Sequence, residues 1–330
     1  MKRRGFLASV GALLMPLVAG AQQQGKMFRV GVLSSGRSQG AGNALGGDSY
    51  LGALTERLRD FGYGLGINLQ LDKRYAEGKL ERLPALAAEL VAAEVDAILA
   101  AGNPAVQAAR HATKTIPIVM ISADPVAAGF VPKLAHPGGN LTGLSVDAGL
   151  AIWSKRLQLL KECAPAVRRV GVLSRTGGQK GAWVQELGAA ASRLGVALVH
   201  AGAQSARDFT SAFAALSKGQ IDALIASDTP LNVQYRHLII EFASSRRLPA
   251  VYANREAAED GGLMAYGVNL IAIYRNAATY IDRIFKGAVP GELPVEQPTQ
   301  FEMVINMKTA RALGLTIPQS VLIRASRVIE

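Results

Sequence analysis

The sequence predicts an α/β protein built of two doubly wound, parallel-sheet (Rossmann-like) lobes. Three observations carry that prediction. The 330 residues suffice for about two domains at roughly 100–200 residues each. Short apolar runs rich in β-formers alternate with stretches of helical period. The pattern also occurs twice. RVGVLS at residues 29–34 returns letter for letter at 169–174, VDAILAAGNPAVQ (95–107) is echoed by IDALIASDTPLNVQ (221–234), and TIPIVMIS (115–122) by RLPAVYAN (247–254). Offsets of 140, 126 and 132 residues are too alike for three coincidences, and two homologous halves explain them.

In chain order, residues 1–21 have a basic start, an uncharged stretch from Gly5 to Ala21, and Ala19-Gly20-Ala21 as a small-x-small cleavage signal before Gln22. That arrangement is a secretory signal peptide. The stretch is short for a bilayer and punctuated by Gly and Pro, and no later one approaches the about 18 apolar residues of a spanning helix. The mature chain is expected to be soluble and exported to the periplasm. Arg3-Arg4-Gly5-Phe6-Leu7 resembles a twin-arginine motif, with Lys2 and Ala8 in place of the usual flanking residues, so two export routes stay open. No cysteine follows the apolar stretch, which excludes a lipid anchor there.

Phe28 to Ser34 is an apolar run bounded by Gly and Ser and predicts a buried strand. Helices are predicted over 48–61, 80–93 and 105–113 in the first half and over 183–194, 206–217 and 232–244 in the second. Apolar residues recur there three and four apart, as in Leu83, Leu86 and Leu90. Alternating strands and helices mean parallel sheets with right-handed crossovers, covered on both faces. Such open sheets bind ligands beyond the carboxyl ends of their strands. Two halves facing each other therefore place a cleft between those ends.

The strand ends carry polar side chains. Gly102-Asn103-Pro104-Ala105 follows one strand, and Ser227-Asp228-Thr229-Pro230 holds the equivalent place in the second half. Asn103 and Thr229 suit helix N-caps and Pro104 and Pro230 first helical positions, which would aim free backbone N–H groups into the cleft. Asp228 beside them could accept from an ammonium while the amides hold a carboxylate, the pairing an amino-acid zwitterion needs. Capping alone also explains the spacing. Ser34, Ser35 and Gly36, Ser122 and Asp124, Ser174 and Arg175, and Tyr252 and Asn254 complete the strand-end candidates. Asp124 also suits a turn that bonds its own backbone. Tyr252, Tyr266 and Trp183 could wall a ligand side chain or simply fill the core.

Composition excludes other classes. With 49% hydrophobic and 18% charged residues the chain is not disordered. The net charge of +11 falls to +8 from Gln22 onward and is diffuse, with no basic block to track a phosphate backbone, so no nucleic acid is expected. Cys163 alone supports neither a disulfide framework nor a thiolate metal site, nor a two-cysteine racemase. His111, His136, His200 and His237 lack metal-ligand spacing, residues 34–40 lack G-x-G-x-x-G, and no Walker motif occurs. No catalytic residue, metal or cofactor is expected. A transcription regulator would need a DNA-binding head where the leader stands.

Three long segments carry a family resemblance: IVMISADPVAAGFVPKLAHPGGNLTGLS (118–145), LPAVYANREAAEDGGLMAYGVNLIAIYRNAATYIDRIFKG (248–287) and LPVEQPTQFEMVINMKTARALGLTIP (293–318). They resemble the ABC-transporter substrate-binding proteins whose characterised members bind tryptophan and related aromatic amino acids. The resemblance covers nearly the whole mature chain. It implies a type I periplasmic-binding-protein fold, two α/β lobes joined by three crossing segments, near 143–147, 267–269 and 297–301. Lobes of 28–145 plus 268–298 and 146–267 plus 299–330 follow, the helix 270–285 returning to the first. The family's strand-end loops fall on 102–105, 122–125, Asp228-Thr229 and 252–255. The expected protein is the periplasmic substrate-binding component of an ABC importer, a monomer working with an inner-membrane permease and its ATPase. It would hold a small amphipathic ligand, an amino acid. The alternative is a periplasmic sensor lobe presenting its ligand to a membrane receptor or, ranked below it, an α/β enzyme.

Overall fold

The computed structural model describes residues 26–36, 48–177 and 181–330. The leader, residues 37–40 of the glycine-rich stretch after the first strand, and the rest of that stretch lie outside them. The described residues form two sheets.

The first sheet comprises β1 (Phe28–Ser34), β2 (Leu69–Tyr75), β3 (Ala97–Ala101), β4 (Ile118–Ser122) and β5 (Leu141–Ser145), in the spatial order β2-β1-β3-β4-β5, every pair parallel. Helices α1 (Asp48–Asp60), α2 (Leu83–Ala92) and α3 (Asn103–Ala112) are its crossovers. One face packs Val30, Val32 and Leu99 against α1, and the other packs Leu33, Ile98 and Met120 against α2 and α3. Burial on both faces explains why the central strands are uninterruptedly apolar.

The chain then passes to α4 (Ala151–Cys163) and a second sheet. It is built from β6 (Arg169–Arg175), β7 (Ala197–Ala203), β8 (Ala223–Ala226), β9 (Ala250–Tyr252) and β10 (Met264–Val268), with α5 (Ala182–Arg193), α6 (Asp208–Lys218), α7 (Pro230–Gln234), α8 (Arg236–Ser245) and α9 (Arg255–Glu259) between them. Its order, β7-β6-β8-β9-β10, repeats the first sheet's strand for strand. The recurrence of RVGVLS is thus the recurrence of the second position in each sheet.

From β10 the chain crosses back into α10 (Leu270–Phe285), whose N-cap Asn269 accepts from the Ala272 N–H at 3.0 Å. Leu270, Ile273, Tyr274, Ala277 and Ile281, spaced three and four apart, pack with Leu54 and Leu58 of α1 and with Val119 and Ile121 of the first sheet. The segment after α10 is tied to β5, Ser145 N–H donating to the Glu296 carbonyl at 2.7 Å. It then crosses a third time into β11 (Phe301–Asn306), α11 (Met307–Leu313), α12 (Gln319–Leu322) and β12 (Arg327–Ile329).

Three local differences from the sequence reading have physical causes. The second sheet is not wholly parallel: β11 runs antiparallel to β10, because it enters from the crossing at the carboxyl end of β10 and needs no crossover helix. The predicted helix 232–244 divides at Tyr235 into α7 and α8. Asn103 is not an N-cap. Gly102, at φ +91°, takes that place, a conformation other residues rarely adopt, and Asn103 opens the helix.

Candidate ligand-binding cleft

A cavity of about 400 Å³ lies between the two sheets, within the roughly 300–1,000 Å³ of small-molecule sites. Ser174 and Arg175 reach it from the end of β6, Ser227, Asp228 and Thr229 from the end of β8, and Ala253 and Asn254 from the end of β9. The crossing segments supply Val146, Asp147, Val268 and Leu270. From the strand ends of the first sheet it takes, among the described residues, Ala123.

Helix α4 forms the floor. Ile152, Trp153, Leu157 and Leu160 define its apolar stripe, and Arg156 falls on that stripe, three residues after Trp153. Its side chain is 1% exposed. Nε donates to the Tyr266 carbonyl at 2.9 Å, Nη2 stands 3.8 Å from the Asp228 carboxylate, and the buried Nη1 has no partner. The guanidinium carbon lies 5.6 Å from the Trp153 ring centroid. Burial lowers the pKa of Arg156, and the Asp228 charge opposes that shift. Trp153 stacks on Trp183 with centroids 4.3 Å apart and planes at 23°, so the wall beside the cation is a tryptophan pair. Asp228 is 55% exposed and free to meet a ligand. The buried Asn254 Oδ1 likewise lacks a partner.

Thr229 caps α7, its hydroxyl accepting from the Asn232 N–H at 3.3 Å. Asn232 in turn donates to the Ser227 hydroxyl at 2.9 Å and the Leu173 carbonyl at 3.0 Å, which fixes the loop that carries Asp228.

Of the residues singled out in the sequence, Ser174, Asp228, Thr229 and Asn254, with Arg175 and Trp183, line this cavity. Ser34, Ser35, Gly102, Asn103, Pro104, Ser122 and Asp124 do not. Their polar atoms are largely spent on local bonds. Asn103 Oδ1 accepts from the Ser122 hydroxyl at 2.9 Å and the Ala123 N–H at 3.0 Å, and its Nδ2 donates to the Ala123 carbonyl at 3.0 Å. Asp124, at φ +36°, accepts from the Ala127 N–H at 3.0 Å in a turn, and Ser34 Oγ accepts from the Gly36 N–H at 3.1 Å. Tyr252 is core, packed with Leu224, Phe242 and Leu248, and burial raises its phenol pKa. Tyr266 gives its carbonyl to Arg156 while its ring stacks with Phe301 outside the cavity, at 6.1 Å.

Arg156, Trp153 and Asp147 were not singled out in the sequence. Arg156 had a legible signal, an arginine in register with the apolar stripe of α4. Cys163, at the far end of the same helix, is buried, and burial pushes its thiol up to about 12, which leaves it inert as a nucleophile. No helix among the described residues is long and apolar enough to cross a membrane.

Known proteins resemble this chain in sequence and fold. The tyrosine-binding protein of Clostridioides difficile (strain R20291) is 29% identical over 264 residues, covering 78% of this chain and 74% of that protein. The crystal structure of a conserved domain protein from Vibrio cholerae is 30% identical, covers 92% of this chain and 100% of the other, and superposes with a TM-score of 0.79. The crystal structure of an ABC domain in complex with L-Trp from Streptococcus pneumonia is 26% identical over 92% of this chain and 99% of its own, also at 0.79. Residues 46–329 match the ABC transporter substrate binding protein family. Two repeated sheets around a ligand-sized cleft, the match over most of the chain and the binding relatives agree: the protein belongs to the ABC transporter substrate-binding protein family, whose members bind a small molecule without transforming it.

Proposed function

We propose that this protein captures an amino acid with an aromatic side chain in the cleft between its sheets and delivers it to an ABC importer. The carrying observation is the wall of the cleft, where the stacked Trp153–Trp183 pair adjoins both a buried cation, Arg156, and an exposed carboxylate, Asp228. An aromatic amino acid offers complementary groups for all three. The relatives that bind tyrosine or are solved with L-Trp support the reading.

Residues 28–145 with 268–298, and 146–267 with 299–330, act as lobes that hinge about the three crossing segments. Ligand contacts from both sides favour closure, and the closed surface is what a permease with its ATPase recognises. The protein works as a monomer in the periplasm, reached through the leader of residues 1–21.

Thermal unfolding against a panel of amino acids, purines and small carboxylates tests the reading. A ligand bound by the folded state alone, at 100 times its Kd, stabilises by about 2.7 kcal/mol. L-tyrosine or L-tryptophan should raise the Tm by several degrees and purines should not. A panel in which no amino acid shifts the Tm refutes it.

A further inference from the structure

Resting on that reading, we propose that the cleft grips an α-amino acid by both ends of its headgroup on the second-sheet side alone, with Arg156 taking the carboxylate and Asn254 Oδ1 with Asp228 taking the ammonium. Arg156 is thereby the residue that makes a free carboxylate a requirement for binding.

Among the described residues, two buried polar atoms on the lining of the cleft have no partner, and they are of opposite kind. Nη1 of Arg156 is a charged donor and Oδ1 of Asn254 an acceptor. Leaving such groups unpaired is costly, more so when charged, and folded proteins keep few of them. An α-amino acid presents an anionic acceptor and a cationic donor two bonds apart, and so answers both. The nearby charges agree. Nη2 of Arg156 lies 3.8 Å from Asp228, too far for a full hydrogen bond, so the guanidinium is incompletely neutralised while Asp228 keeps a face open to solvent. A ligand carrying one charge of each sign leaves the site balanced. The cavity is lined by two cations, Arg156 and Arg175, and two carboxylates, Asp228 and Asp147, a balance that a zwitterion preserves and that a phosphate or dicarboxylate would upset.

The supporting elements are rigid. Arg156 is on the buried face of α4, held by the Tyr266 carbonyl, and Asn254 and Asp228 end neighbouring strands of one sheet. The headgroup can therefore dock before closure. Among the described residues, what the other side and the crossings add apart from Asp147 is largely apolar, Ala123, Val146, Val268 and Leu270, suited to covering a ring and excluding water.

The experiment is calorimetric titration of the mature chain with L-tyrosine and L-tryptophan, with their carboxamides, which lack the carboxylate, and with the des-amino aryl propionates. In the wild type, both deletions should weaken binding at least tenfold. In Arg156→Gln, affinity for the amino acids should fall at least tenfold while that for the carboxamides changes little, so that the acid-over-amide preference collapses. Arg156→Lys, which keeps the charge without the planar fork, should restore part of the preference. The preference is a ratio within one variant and does not depend on its folded fraction. Carboxamides that bind the wild type as tightly as the acids, or an undiminished preference in Arg156→Gln, overturn the assignment while leaving the amino-acid reading intact. A wild-type chain that binds neither acid nor amide overturns that reading and the assignment with it.

Discussion

Closure should leave its mark on a single bond between the two sheets' helices. Tyr50 on α1 is 2% exposed, and its hydroxyl donates to the Glu256 carboxylate on α9, which belongs to the other sheet. The ring stacks on Tyr274 of α10 with centroids 5.5 Å apart. Tyr50→Phe removes the hydroxyl and keeps the ring, so the packing of α1 on α10 is retained. A hydrogen bond to a charged group contributes about 1.5–3 kcal/mol. Glu256 is half-buried and can rehydrate, which places the loss near 1.5 kcal/mol. A bond present when the lobes are together and absent when they part biases that equilibrium by its full value. The loss therefore passes into the apparent Kd, a roughly tenfold weakening at 1.4 kcal/mol per decade. Calorimetry with L-tyrosine gives the affinity, and stopped-flow tryptophan fluorescence should place most of the change in dissociation. A Kd within twofold of the wild type, with the variant folded, would refute the claim that this bond is broken on opening.

Two further outcomes follow from the same region and from the first crossing. Glu302 on β11 is nearly buried 3.6 Å from Arg255; burial pushes its carboxyl up to about 7, with Glu256 and Glu259 adding and Arg255 and Arg327 opposing. The folded state thus holds a proton that the unfolded chain releases, so this contribution is present at low pH and is lost as pH rises from the ordinary glutamate value towards 7. Melting temperatures measured between pH 5 and 7 should fall less steeply with pH in Glu302→Gln than in the wild type. Gly143 on β5 has φ +139°, and a Cβ there would lie 2.1 Å from the Met120 carbonyl oxygen. Gly143→Ala should cost more than about 3 kcal/mol in denaturant unfolding, beyond the usual range for overpacking.

Much of the fold was legible because the duplication is written in the strands buried on both faces. Those strands must be continuously apolar, and such runs stand out. The edge strands were not legible. β2 (LQLDKRY) carries three charged residues in a row, Asp72, Lys73 and Arg74, and its pattern competes with loop composition. Helix α10 was placed by the resemblance alone. Its side of the molecule follows from contacts with α1 that lie more than 200 residues away in sequence. In the site, capping chemistry identified Thr229 and the loop bearing Asp228. It misplaced Asn103, because a backbone at φ +91° is a property of Gly102 that spacing alone does not reveal. Arg156 escaped notice because arginine on an amphipathic helix ordinarily belongs to the solvated face. Its register with Trp153 and Leu160 says otherwise.

The two halves keep one strand order but have diverged at their strand ends, and that divergence can be measured. In the first half, Asn103 spends its amide on three bonds to Ser122 and Ala123. In the second, Thr229 caps a short helix and leaves Asp228 more than half exposed at the cleft. The first arrangement is a brace, and the second leaves a carboxylate open to the cleft. Asn103→Ala should therefore lower unfolding free energy by about 1.5–4.5 kcal/mol, from three bonds at roughly 0.5–1.5 kcal/mol each, while the Kd for L-tyrosine stays within twofold. Asp228→Ala should weaken L-tyrosine at least fivefold, as expected for more than about 1 kcal/mol from a bond to an ammonium, and should also lower stability, because the buried Arg156 loses the carboxylate 3.8 Å from it. Paired titrations and denaturant curves on the two variants separate these outcomes. If Asn103→Ala weakened the ligand as much as Asp228→Ala does, both halves would have to contribute polar contacts, and the division into a gripping half and a covering half would be wrong.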